Sequence, residues 1–279
     1  MHKRTILLGA LLLAVALAGA CGGGNDDDLP PVEGGGSGGG PTFDMSKANA
    51  TVSGKIAFEG TPPPNDKIQM SADPFCQMHA SSYPVAETVK VNNGGLENVI
   101  VYVSSGLPTG VSYAPATQPL EVDQMNCHYI PHVFTIRTNQ PLKVKNSDMT
   151  LHNIHAYAEK NPQFNVGQAV QGMVNETKFG LPENAPPIPL RCDVHRWMGA
   201  FVGVFEHPFH TVSKPDGTFE LKLPPGTYEV TAWHEKFGKK TMMVEVKDND
   251  KKDVGFSFSV ADKAAQCTVT IGCFARGLD

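Results

Sequence analysis

The 279-residue chain is short of several things at once. Its six cysteines are too few to staple a protein of this size as a disulfide scaffold. It has no basic excess: 23 Lys and Arg stand against 28 Asp and Glu, a net charge of −5, so the electrostatic footprint of a nucleic-acid binder is missing. No segment sustains a long 3.6-residue apolar period, so long amphipathic helices are not its building blocks. The apolar run from Ile6 to Ala20 is too short to cross a bilayer comfortably. Wholesale disorder is excluded as well, because 41% of the residues are hydrophobic and only 18% are charged.

What is present begins with an export signal. His2, Lys3 and Arg4 precede that apolar run, which makes residues 1–20 a signal peptide. Leu17-Ala18-Gly19-Ala20 leading into Cys21 resembles a bacterial lipobox, with Ala18 where Leu is usual. The resemblance implies that Cys21 is lipidated and becomes the first mature residue, anchoring the chain to a membrane at about 0.8 kcal/mol per buried methylene. Gly22 after the Cys implies the outer membrane; ordinary signal cleavage nearby is the alternative. Either way the chain is exported to the bacterial cell envelope, where disulfides are allowed. Nine of the 28 glycines fall between Gly22 and Gly40. Residues 21–47 therefore read as the lipidated Cys and a flexible tether spanning roughly 25–30 Å, with the folded body starting near Ala48.

The body reads as all-β. Phe134 and Ile136 alternate with polar neighbours, as do Leu142 and Val144, then Phe219, Leu221 and Leu223, then Val254, Phe256, Phe258 and Val260. Turn signals separate these runs at Thr138-Asn139-Gln140-Pro141, Pro215-Asp216-Gly217 and Pro224-Pro225-Gly226. Such short, spaced strands indicate sandwiches or barrels. Asn161–Pro189 is irregular and holds five prolines, so it is expected to be mainly a long connection with at most one strand.

The chemistry concentrates in Leu190-Arg191-Cys192-Asp193-Val194-His195-Arg196-Trp197-Met198-Gly199. One turn offers a thiolate, an imidazole and a thioether, a set that suits copper; a trigonal His₂Cys arrangement with a weak axial Met is the blue-copper site. His152, just after a strand, supplies the second imidazole. Zinc is the main rival for His and Cys, and the Met argues against it. At these residues the chain resembles the cupredoxin family. Val133–Ile154 looks like the cupredoxin strand–turn–strand ending in His-Asn, and Cys-x₂-His-x₂-Met is similar to the short ligand loop of amicyanin. The resemblance covers roughly residues 120–206. It implies a Greek-key β-barrel carrying one type 1 copper per chain, with His152, Cys192, His195 and Met198 as ligands. It further implies that Asn153 steadies the Cys loop, and that electrons pass singly through an exposed His195 to a periplasmic redox protein such as a c-type cytochrome. Arg196 stands where the family often has Pro, which puts a cation beside that port.

Residues 211–260 hold Asp216-Gly217-Thr218-Phe219 and Pro225-Gly226-Thr227-Tyr228, which resemble the turns of the carboxypeptidase regulatory-like, or transthyretin-like, β-sandwich. Its earlier strands are expected upstream, so residues 48–119 with 207–260 form a sandwich into which the copper domain is inserted; two sequential domains with an N-terminal β extension are the alternative. Residues 261–279 are a C-terminal tail. The sandwich has no catalytic set, and the chain is expected to be no enzyme unless a second copper site makes it an oxidase. A copper-binding or copper-delivery lipoprotein without a redox partner is the second functional reading, and a non-enzymatic module binding glycan or protein the third.

His155 is an odd number of positions from His152, so on a continuous strand it faces the other way. Cys76, His79, Cys127, His128 and His132 either form a second metal site, with His155 as a further candidate, or include a plain disulfide. With Cys21 and Cys192 assigned, four cysteines allow three pairings, and Cys76–Cys127 with Cys267–Cys273 is the favoured one. The latter needs a turn near Gly272, because six extended residues span about 20 Å.

Overall fold

The computed structural model describes residues 40–262. The expected signal peptide, Cys21, most of the expected tether and the expected Cys267–Cys273 pairing lie outside the described residues. In chain order the elements are β1 (Ala50–Glu59), α1 (Pro74–His79), β2 (Val91–Asn92), β3 (Gly95–Leu96), β4 (Ile100–Ser105), β5 (Leu120–Met125) and β6 (His128–Ile130). Then follow β7 (Val133–Arg137), β8 (Leu142–Asn146), β9 (His152–Ala156), β10 (Phe164–Gln168), β11 (Val174–Thr177), β12 (Glu183–Arg191) and β13 (Gly199–Phe205). The last are β14 (His210–Val212), β15 (Thr218–Leu223), β16 (Gly226–His234), β17 (Gly238–Val246) and β18 (Lys251–Ser259). The protein is all-β, as its alternating pattern requires.

Four sheets form two layered pairs. In the first pair, a sheet in the order β15-β1-β3-β2, with β18 also on β1, lies against β14-β4-β16-β17. Ile56, Phe219, Leu221, Phe256 and Phe258 from one sheet meet Val101, Val103, Val230, Ala232 and Val244 from the other in one buried cluster. Burying such side chains contributes roughly 1.5–3 kcal/mol each. β1 runs antiparallel to β15 and parallel to β18, and β4 pairs with β14 and β16, so segments before residue 106 and after residue 209 share sheets. The second pair sets β10-β9-β12-β13-β7 over β11-β8-β5-β6. Phe134, Ile136, Ile154, Leu190 and Val202 pack there against Val122, Tyr129, Leu142 and Val144. A third cluster, Ile100, Tyr102, Val133, Phe205 and Trp233, joins the two pairs.

Two expectations change. Asn161–Pro189 is not mainly a connection: it contributes β10, β11 and the start of β12. Its prolines masked the strand pattern, because Pro lacks the amide that ladders need; the ladder between β12 and β13 accommodates them with a register shift between Glu183 and Ile188. The packed chain also starts before Ala48. Thr42 bridges Ser112, and Phe43 packs on Tyr113 and Phe209 at ring separations of 5.6 and 6.2 Å. Asn139, at φ 61°, takes the left-handed conformation in the turn from β7 to β8, as a turn Asn can.

Candidate metal centre

The site lies at one end of the second sandwich, where β9 begins and β12 passes into β13. His152 is the first residue of β9. The loop after Arg191 closes on itself: Cys192 N donates to Met198 O (3.2 Å) and Met198 N to His195 O (2.9 Å). These bonds bring Cys192, His195 and Met198 to one end of the sheet. All four expected ligands are buried, with relative exposures of 0% for His152 and Met198, 1% for Cys192 and 3% for His195.

The two imidazoles are oriented by carboxylates. His152 Nε2 donates to Asp148 Oδ2 (2.8 Å) and His195 Nε2 to Asp73 Oδ2 (3.1 Å). Ionised carboxylates only accept, so each ring donates from Nε2 and turns its Nδ1 edge inward, the edge a metal would take. The two Nδ1 atoms lie 2.9 Å apart, and Cys192 Sγ is 4.0 Å from that of His195. The donor atoms of His152, Cys192 and His195 fall within 4.8 Å of one another. Burial opposes ionisation of Cys192, but hydrogen bonds to His152 and His195 outweigh it and bring the thiol down to about 6. It is therefore largely thiolate at neutral pH, the form that binds metals. Burial likewise opposes the charge on Asp148 and Asp73, and their hydrogen bonds still hold both carboxyls below the ordinary value.

Asn153 ties the Cys loop to β9. Its Oδ1 accepts from Asp193 N (2.7 Å) and Val194 N (3.3 Å), and from Cys192 Sγ (3.2 Å) when the thiol is protonated. His155 is turned away from His152, stacks on Tyr157 at 4.0 Å and donates to Asp193 Oδ2 at 3.1 Å. Arg196 is exposed.

The expectation of an exposed His195 is overturned. Its outer edge meets Asp73, the residue capping α1, and lies 3.8 Å from Cys76 Sγ. Cys76 is bonded to Cys127, with the Cα atoms 5.6 Å apart, so α1 is fastened across the histidine. The separate metal cluster of Cys76, His79, Cys127, His128 and His132 does not assemble. The two cysteines pair with each other, His79 donates to Phe75 O (2.9 Å), and His128 donates to Asn126 O (3.1 Å) and stacks on Tyr83. His132 faces Gly199 O from Nδ1 (2.9 Å) and Glu235 Oε1 from Nε2 (2.6 Å). Among the described residues, no grouping of metal donors includes His79, His128, His132 or His155.

Sequence reasoning missed Asp73 and Asp148. Asp148 sits four residues before His152, close enough to have been noticed. Asp73 before Pro74 was legible as a helix cap. Its meeting with His195, 122 residues later, was not.

No family model matches the chain, and no curated protein matches it. Solved structures with partial likeness include a copper-containing nitrite reductase from Thermus scotoductus, 17% identical, covering 37% of this chain and 26% of that one at a TM-score of 0.30. The chain thus spans about a quarter of the reductase. A purple cupredoxin from Nitrosopumilus maritimus is 19% identical over 30% of this chain and 97% of its own, with a TM-score of 0.26. A Cu(I) amicyanin variant is 14% identical over 39% of this chain and 99% of its own, with a TM-score of 0.27.

Proposed function

We propose that the protein is a cell-envelope blue-copper carrier that transfers single electrons through one type 1 site. The observation that carries this reading is the pair of Nδ1 atoms 2.9 Å apart beside a buried thiol whose pKa is about 6. Two imidazoles and a thiolate aimed at one point, with the buried thioether of Met198 in the same loop, are a donor set for copper rather than for zinc. His152, Cys192 and His195 would hold the ion and Met198 would be the weak axial ligand. Copper bound there would supply a one-electron Cu(II)/Cu(I) couple. The chain's own part is to fix the rings through Asp148 and Asp73, brace the thiolate loop through Asn153 and keep water from the donors. Lipidation at Cys21 would place this body at the outer membrane, and a c-type cytochrome or similar periplasmic redox protein is the partner proposed. We also assign residues 120–206 as a copper domain set within a transthyretin-like sandwich.

The test is to load the purified chain with Cu(II). One copper per chain and an intense thiolate-to-copper absorption are expected. Stoichiometric binding without colour sinks the type 1 assignment.

The cover over His195 favours a second reading, copper holding or delivery without a redox partner. Slow, poorly reversible electrochemistry combined with ready metal exchange would decide for it.

A further inference from the structure

The two imidazoles have a second side. Each turns Nδ1 toward Cys192 and Nε2 toward the Cys76–Cys127 disulfide. There the donor atoms of Asp73, Cys76 and His195 lie within 4.8 Å of one another, and so do those of Cys127, Asp148 and His152. These are two matched triads, each an Asp, a Cys and a ligand His, joined by the sulfur–sulfur bond.

We propose that reducing Cys76–Cys127 opens a second metal site, in which both thiolates and the carboxylates of Asp73 and Asp148 hold a thiophilic divalent ion such as Zn(II) or Co(II). Two thiolates with two carboxylates make an acceptable tetrahedral set for such ions. The disulfide is not what aligns these donors. Asp73 Oδ1 accepts from Cys76 N (3.0 Å), and Asp148 accepts from Cys127 N (2.7 Å) and Asn126 N (2.8 Å). Each carboxylate is thus pinned to its own cysteine's backbone, and Thr150 Oγ1 donating to Asp73 Oδ2 (2.7 Å) ties α1 to the turn before β9. Once the bond opens, Cys76 keeps Asp73 beside it and Cys127 keeps Asp148, and a cation drawn between the two thiolates brings the two triads together and relieves their mutual repulsion. The cover is thin: α1 is six residues long and turns Gln77 and Met78 outward.

The chemistry balances. The disulfide takes two electrons and two protons from an external dithiol, which closes to its own disulfide. Binding of the ion then displaces two protons from the thiols. The site does not require copper at Nδ1, but it shares Asp73 and Asp148 with the first centre, so filling it would alter how the ligand rings are held.

The experiment uses the full mature chain loaded with Cu(I), without oxygen, titrated with Co(II) before and after treatment with a water-soluble phosphine, which replaces the dithiol as two-electron donor, takes its oxide oxygen from water and leaves water's two protons on the thiols. Thiol titration follows the opening of the bond. One Co(II) per chain and a thiolate-to-cobalt charge-transfer band are expected only after reduction. The Cys76→Ser/Cys127→Ser double variant should show neither. Cys192→Ser should lose the blue colour of the Cu(II) form yet keep reductive cobalt uptake, which separates this site from the copper reading. The proposal is overturned if the reduced chain takes up no cobalt, folded or not. It is also overturned if the bond resists the phosphine in native buffer, or if the band persists in the double Ser variant.

Discussion

His152 and His195 face each other through their Nδ1 atoms at 2.9 Å because Asp148 and Asp73 hold their Nε2 protons on the opposite side. The carboxylates therefore determine which nitrogen is free to bind a metal. Such partners typically change metal affinity by about 10–100-fold. Asp148→Asn tests this with little change of shape. An amide can donate to Nε2, which moves the ring proton to Nδ1 and blocks the donor. Copper affinity, measured by competition with a chromophoric chelator, should fall within that range. Unchanged affinity would mean that packing alone orients the ring.

Asn153 acts on the other ligand. Its Oδ1 is the acceptor for two backbone amides of the Cys loop and for the thiol when that is protonated. Asn153→Ala removes all three contacts in a site where Asn153 is only 6% exposed. Leaving such donors unpaired costs about 1–3 kcal/mol. The urea midpoint of the metal-free protein should drop accordingly, and the blue band should shift without vanishing. Cys192→Ser should abolish the band, and His132→Ala should leave it in place.

His132 gives a pH dependence. Nδ1 faces a carbonyl and Nε2 a carboxylate, both acceptors, so the ring is an imidazolium paired with Glu235. Burial works against that charge, but the hydrogen bond and charge of Glu235 prevail and the pKa is raised above 6.5. A raised folded-state pKa means the pair stabilises fully below the unfolded value and loses its contribution as pH rises through the folded one. Wild type should therefore exceed Glu235→Gln in urea midpoint at pH 5.5, and the gap should narrow with rising pH. A gap that widens instead would contradict the imidazolium assignment.

Much of this was readable from the chain because the signals were local. Alternation in Phe134–Ile136 or Phe219–Leu223 needs only neighbours to be seen. Cys192, His195 and Met198 sit in one loop whose geometry is short-range. Contacts between distant segments were not readable. Nothing near Asp73 announces His195, and the meeting of His132 with Glu235 joins residues 103 positions apart. The strands within Asn161–Pro189 were hidden because proline suppresses the pattern while the β9 and β13 ladders still recruit the chain. The exposed His195 was implied by the cupredoxin resemblance, whereas its cover comes from a helix more than a hundred residues earlier.

That cover has a measurable stability. Cys76 and Cys127 are 51 residues apart, and closing a loop of that length in the unfolded chain accounts for about 4 kcal/mol on the chain-entropy view. The Cys76→Ala/Cys127→Ala variant should lose stability of that order in urea unfolding, and phosphine should then have no further effect on it. The same variant unties α1 from the turn between β5 and β6 while Asp73 keeps its bonds to Thr150 and His195. Copper should remain bound, but exchange with free chelator should become faster than in the disulfide form. If exchange does not change, the disulfide stabilises the fold without controlling access to His195, and Asp73 alone is the residue that shields it.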